Sequence, residues 1–168
     1  MILLLALLQA AIAPDTGRAS AGAQDPAWAA DGRLAVGIRG DLWIRRPSVG
    51  AAQWIRVTQG PAWDREPAWS ADGTSLSFTS TAGDAPQLWR VRVGAEGAIG
   101  APERISTSRD VETEASLARD GSLAFVRGRG ALARVWVRRP DGSERRLTRR
   151  DAGAERWPAW SPDGSRIA

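Results

Sequence analysis

The chain has 168 residues, 23 positive and 19 negative side chains for a formal net charge of +4, and a hydrophobic fraction of 43%. That is room for about one globular domain, and it is not the composition of a disordered chain. Cysteine and histidine are both absent, which excludes Cys/His zinc sites, disulfides, cysteine nucleophiles, haem ligation through histidine and a Ser-His-Asp triad within these residues.

From the N-terminus, Ile2 to Ala13 is apolar except for Gln9. That is the length of a signal-peptide core and too short to span a bilayer. The small residues Ala19, Ser20, Ala21, Gly22 and Ala23 follow, and Ala21-Gly22-Ala23 before Gln24 is the expected cleavage site. No Arg or Lys precedes Arg18, so a positive leading region is missing. The alternative is a buried first strand or helix. The reading adopted is a signal peptide over 1–23, a periplasmic or secreted chain, and no stable membrane span.

Beyond it the chain repeats itself. DPAWAADGRLAV, EPAWSADGTSLSF, EASLARDGSLAF and WPAWSPDGSRIA align, with Asp-Gly pairs at Asp31-Gly32, Asp72-Gly73, Asp120-Gly121 and Asp163-Gly164, so that 41, 48 and 43 residues separate them. Three residues before each Asp stands Trp28, Trp69, Leu117 or Trp160, and five before it Pro26, Pro67, Ala115 or Pro158. A second anchor follows in each full copy: GDLWIRR around Trp43, PQLWRVRV around Trp89 and ARVWVRR around Trp136. A third aligns Val57-Thr58, Ile105-Ser106 and Leu147-Thr148. Each unit reads as four short apolar runs parted by turn chemistry. Four strands per 40 to 50 residues is the signature of a β-propeller blade.

Local chemistry agrees. The Asp side chain can bond nearby backbone, Gly accepts positive φ, and Pro162 presets its own φ at the turn. In Ser75–Thr79, Leu76 and Phe78 share one face and the small polar residues the other. Leu42-Trp43-Ile44 and Val135-Trp136-Val137 are apolar on both faces, as suits a sheet between two neighbours. Each Trp can bury roughly 150–250 Å², a plausible glue between blades. Glu103 to Asp120 lacks Gly and Pro, but its apolar residues make no helical stripe, so strand, loop, strand is expected.

PAWSPDGSRIA, with its upstream Leu-Thr and downstream Leu-Trp runs, resembles the TolB-type Trp-Ser-Pro-Asp-Gly β-propeller repeat family. The resemblance covers about 25–168. It implies an all-β fold, a β-propeller of four-stranded blades, about three and a half of them present: units 25–60, 61–108, 109–149 and a partial 150–168. The same repeat type is found in propellers fused to secreted hydrolases of prolyl-oligopeptidase-like, tricorn-like and amidohydrolase-linked kinds. Because known propellers need about four to eight blades, the chain is expected to be the N-terminal piece of a longer protein, or the translation of a gene whose boundaries are drawn too short, with missing blades or a downstream domain beyond it.

Three further features invite chemical readings. Gly128 to Ala133 fits G-x-G-x-x-A, but a strand around Trp136 follows where a dinucleotide site needs a helix. Asp110, Glu112 and Glu114 alternate and could face one way toward a hard cation, although a solvated loop is the plainer reading. Asp31, Asp72, Asp120 and Asp163 recur in every unit, as a turn former does and a catalytic carboxylate does not. The Arg pairs Arg45-Arg46, Arg138-Arg139, Arg145-Arg146 and Arg149-Arg150 are scattered among acids and read as solvated strand ends rather than a nucleic-acid face. The expected function is a non-catalytic interaction or scaffold module of an exported protein, with protein or peptide partners, no nucleic acid, no metal and no cofactor. The alternative is the gating or substrate-filtering propeller of a larger secreted hydrolase.

Overall fold

The computed structural model describes residues 22–47, 53–148 and 153–168. The expected signal core and the Arg149-Arg150 pair lie outside the described residues. Among the described residues twelve strands form three four-stranded antiparallel sheets, each from consecutive strands. The first sheet holds β1 (Ala23–Trp28), β2 (Leu34–Ile38), β3 (Asp41–Arg45) and β4 (Trp54–Arg56). The second holds β5 (Asp64–Trp69), β6 (Ser75–Ser80), β7 (Gln87–Gly94) and β8 (Gly97–Arg104). The third holds β9 (Glu112–Leu117), β10 (Leu123–Arg127), β11 (Arg134–Arg138) and β12 (Glu144–Arg146). One 3-10 turn, Gly130–Leu132, interrupts the third sheet. Residues 153–168 begin a fourth unit, in which Trp160 bridges Ile167 across the Asp163-Gly164 turn. Strand, loop, strand holds between Glu103 and Asp120.

The sheets are successive blades. Each first strand packs against the blade before it: β5 lies against β1, β2 and β3, and β9 against β5, β6 and β7. The first seam is hydrocarbon, with Leu42, Ile44 and Val57 of blade one against Trp69, Leu76, Phe78, Val91 and Trp89 of blade two. The second gathers Leu88 and Ile105 against Leu123, Phe125, Leu117 and Trp136. The polar face of β6 is covered too: Ser77 and Thr79 are buried against blade three. A blade between two neighbours has no solvent face, so its small polar residues look inward for partners: Thr79 finds one in Glu66, whereas Ser77 Oγ finds none among the described residues.

The turns repeat as closely as the strands. Gly32, Gly73, Gly121 and Gly164 take φ of 84°, 68°, 86° and 70°, the left-handed region that costs other residues a steric penalty. Their N–H groups donate to Ala29, Ser70, Ala118 and Ser161 carbonyls at 2.9–3.1 Å. Each preceding Asp Oδ1 accepts from the backbone N–H two residues on, at 2.8–3.1 Å. The third anchor ties the blade's outer strand back to its middle. Thr58 Oγ1 accepts from Leu42 N at 2.9 Å, and Ser106 Oγ from Leu88 N at 2.8 Å.

Candidate functional site

The polar side chains of the repeat converge on the seams. In every blade the residue before the Pro-Ala-Trp position is left-handed: Asp25, Glu66, Glu114 and Trp157 have φ of 52°, 55°, 57° and 57°. In the three sheets this residue and its successor face a single residue of the partner strand, a β-bulge. Pro26, Pro67 and Pro158 are tolerated there because a bulged position needs no ladder donor, and Pro disfavours a right-handed residue before it.

The bulge turns each carboxylate toward the next blade. Asp25 Oδ2 accepts from Glu66 N at 3.2 Å, Glu66 Oε2 from Glu114 N at 3.1 Å, and Glu114 Oε2 from Trp157 N at 2.6 Å. One acid per blade thus satisfies the orphaned amide of its successor. Thr79 Oγ1 also donates to Glu66 Oε2 at 2.6 Å, and Arg156 pairs with Glu114 Oε1. The hydrogen bond and charge of Glu114 hold the Arg156 guanidinium above its ordinary range. Glu66 and Glu114 are buried, so these are links inside the protein, not surface decoration.

A second cluster occupies the seam between blades two and three. Arg127 donates to Glu112 Oε1 at 2.5 and 2.8 Å and to Glu144 Oε2 at 2.7 Å. Its guanidinium lies 4.5 Å from the Trp136 ring centre and 5.2 Å from that of Phe125. Arg138 bonds Glu144 Oε1 at 2.6 Å and the Ile105 carbonyl at 2.7 Å, and lies 5.1 Å from the Phe125 centre. Ser108 Oγ donates to Glu112 at 2.8 Å. Burial works to push Glu144 up, but its hydrogen bonds from Arg127 and Arg138 outweigh this and hold it below the ordinary carboxylate range.

This geometry separates the acids that alternate in sequence. Glu112 is fully buried on Arg127, Glu114 is turned to the next blade by its bulge, and Asp110 is exposed. The three share no face, because the bulge breaks the period of two. Arg138 is likewise no solvated strand end. Its side chain is 12% exposed and fills the seam, since the two carboxylates there compensate its burial. Arg45, Arg139 and Arg145 are exposed. Gly128 and Gly130 take φ of 102° and 52° to close the loop before β11. A Cβ on Gly128 would stand 2.6 Å from the Leu132 carbonyl oxygen, so the glycine serves that approach and opens no helix.

The repeated tryptophans do not share one environment. Trp69 is buried, donates from Nε1 to the Ala27 carbonyl at 3.1 Å and lies under Arg33, 4.4 Å from its ring centre. Trp28, first in the row, has no earlier blade over it among the described residues and is 66% exposed. Trp160 donates its backbone N–H to Ser116 Oγ at 3.1 Å, joining the fourth unit to blade three. Trp43, Trp89 and Trp136 stand on the third strands, partly buried. The turn acids are exposed. Asp72 and Asp163 are held down at about 2, first by the hydroxyls of Ser70 and Ser161 and then by the backbone N–H groups of Thr74 and Ser165. Backbone and hydroxyl donors at Ser122 and Ser143 lower Asp120 and Asp141 as well.

Consecutive four-stranded blades stacked through their first strands define a β-propeller module. Residues 9–168 match the TolB beta propeller domain, and the chain belongs to that family. Among solved structures it is similar to TolB from Acinetobacter baumannii, at 23% identity and a TM-score of 0.62 over 85% of this chain and 36% of that one. It is also similar to a provisionally named TolB from Agrobacterium tumefaciens, at 22% identity and a TM-score of 0.70 over 84% of this chain and 51% of that one. A third is a puromycin-hydrolyzing peptidase from Mycobacterium tuberculosis, at 19% identity and a TM-score of 0.59 over 75% of this chain and 22% of that one. The chain thus spans about half or less of the proteins it resembles, and identities this low speak for the fold.

Proposed function

We propose that the chain is a non-catalytic propeller module of an exported protein, acting by binding protein or peptide partners. The observation that carries this reading is the use of the repeat's acids. Asp25, Glu66 and Glu114 link blade to blade, and Asp31, Asp72, Asp120 and Asp163 close turns. With Gly32, Gly73, Gly121, Gly164, Trp28, Trp69, Trp160, Trp43, Trp89 and Trp136 they make a frame that leaves recognition to seams and loops. Residues 1–23 act as the export signal and 24–168 as the repeat body. No helix among the described residues is long and apolar enough to cross a membrane. Arginines committed to acids, as Arg127 and Arg138 are to Glu112 and Glu144 and Arg156 is to Glu114, speak against a nucleic-acid face.

Two measurements test this. Residues 1–23 fused to a reporter phosphatase that needs disulfides should give an active enzyme only through export; an inactive, cytoplasmic fusion contradicts the export reading. The purified chain should show no turnover of chromogenic ester or peptide substrates above buffer; saturable turnover would make it an enzyme. A second reading, the gating propeller of a larger exported hydrolase, is favoured by the likeness to the peptidase. A Gly-x-Ser-x-Gly elbow encoded past codon 168 would select it, and further repeats followed by a stop would not.

A further inference from the structure

Blades two and three place the same positions in the same register and fill them differently. In blade three, Arg127 faces Glu112 across β9 and β10, and Phe125 faces Trp136 across β10 and β11. In blade two, Ser80 faces Asp64 and Phe78 faces Trp89. The acid, the phenylalanine and the tryptophan recur; the arginine does not. Arg127 is 12% exposed, bonded to the acid and lying over both rings. Ser80 Oγ accepts from the Ala82 N–H, at 3.2 Å.

Where blade three holds that guanidinium, blade two borders a cavity of about 540 Å³, lined by Asp64, Phe78, Ser80 and Trp89 and, across the seam, by Arg56 and Thr58. Asp64 is 7% exposed, and its Oδ1 is buried without a hydrogen-bond partner among the described residues, as is Trp89 Nε1. Arg56 is committed elsewhere, to Asp41 Oδ2 at 2.6 Å and the Thr58 carbonyl at 3.1 Å. Burial pushes Asp41 up, Arg56 opposes this, and nearby Asp64 adds to it. The one guanidinium near these two carboxylates is thus paired with Asp41 and not with Asp64. A buried carboxylate without a donor is costly, and a planar cation between an acid and aromatic faces is the arrangement that relieves it.

We propose that this cavity binds the arginine side chain of a partner peptide, with Asp64 pairing the guanidinium and Phe78 and Trp89 walling it. Blade three carries the equivalent cation within its own chain; blade two takes it from outside. The proposal rests on the interaction-module reading, yet the two fail separately. Loss of the arginine response alone removes this site, whereas intrinsic catalysis would remove the wider reading.

The test uses the full 168-residue chain, labelled with nitrogen-15. N-acetyl-arginine methylamide is titrated in and the Trp89 indole N–H resonance followed, with the neutral citrulline analogue as control. The expected result is a saturable shift with the arginine compound and at least about tenfold weaker binding of the citrulline compound. Asp64→Asn should weaken the arginine response by about tenfold or more, and Ser80→Arg, which supplies the cation in the chain itself, should abolish it. An unmoved Trp89 resonance, equal binding of both compounds, or a Ser80→Arg protein that still binds would overturn the proposal. If a variant fails to fold, the comparison of the two compounds on the unaltered chain decides.

Discussion

The first seam is built around a hydrocarbon cluster and the second around a buried ion network, although both join blades of the same register. Between blades one and two, Leu42, Ile44, Leu76, Phe78 and Val91 pack together, with the polar links Glu66 N–H to Asp25 and Trp69 Nε1 to the Ala27 carbonyl beside them. Between blades two and three, Phe125 and Trp136 instead carry Arg127 and Arg138, which are held in turn by Glu112 and Glu144. The repeat thus dictates backbone and bulge, not seam chemistry. At the position of Ser80 and Arg127 one seam borders a cavity and the other is filled from within. Apolar packing tolerates loss of one atom group at a graded cost, whereas a buried ion network fails when one member leaves.

The sharpest way to break that comparison is Glu112→Ala. It leaves Arg127 buried beside one acid fewer and should cost about 3–5 kcal/mol by urea denaturation; a loss near that of a surface ion pair, below about 1 kcal/mol, would mean the second seam is wet. Next come two identical substitutions in unlike places. Trp69→Ala should cost about 3–5 kcal/mol, and Trp28→Ala, at the same repeat position but exposed, should stay within about 0.5 kcal/mol. Equal effects would show that the repeat position and not the seam sets the energy.

Gly73→Val is smaller, on the order of 1–3 kcal/mol for a β-branched residue at φ of 68°. It also crowds Arg33, whose Nη2 would lie 2.6 Å from the new Cβ and now donates to the Gly73 carbonyl. An unchanged midpoint would contradict the turn.

The smallest effect is in pH dependence. Glu144 is lowered on folding, so its contribution is present above the ordinary carboxylate range and lost as pH falls from there through its lowered value. Asp41 is raised, so its contribution is present at low pH and lost as pH rises through the raised value. Glu144→Gln should flatten the acid side of the stability profile and Asp41→Asn should steepen it. Parallel profiles for both variants would remove the electrostatic contrast between the seams.

What could be read from the residues alone was what neighbouring residues decide. The Asp-Gly turns are set within about five positions, by Asp Oδ1 and a left-handed Gly, and the Trp period marks the blades. The carboxylate links were present as an acid before Pro-Ala-Trp in the first two copies and before Ala-Ser-Leu in the third. Their meaning lies in an amide some 41 to 48 positions on, at Glu66 or Glu114, which no local pattern reveals. Asp110, Glu112 and Glu114 looked like one face because an unbroken strand alternates; the bulge at Glu114 divides them. Arg138 looked solvated because strand ends commonly are, and only the fold brings Glu112 and Glu144 together beneath it. Aligning Ser80 with Arg127 was the available clue to the cavity, since the facing acid, the phenylalanine and the tryptophan recur.

The direct measurement is amide hydrogen exchange at Glu66, Glu114 and Trp157, whose N–H groups are bonded to Asp25, Glu66 and Glu114 of the preceding blade. If the repeat's acids fasten blade to blade, these amides exchange only through large-scale opening, and Glu66→Ala releases the Glu114 amide while that of Trp157 stays protected. Loop-like exchange at all three in the unaltered chain, or a Glu114 amide indifferent to Glu66→Ala, would contradict the account.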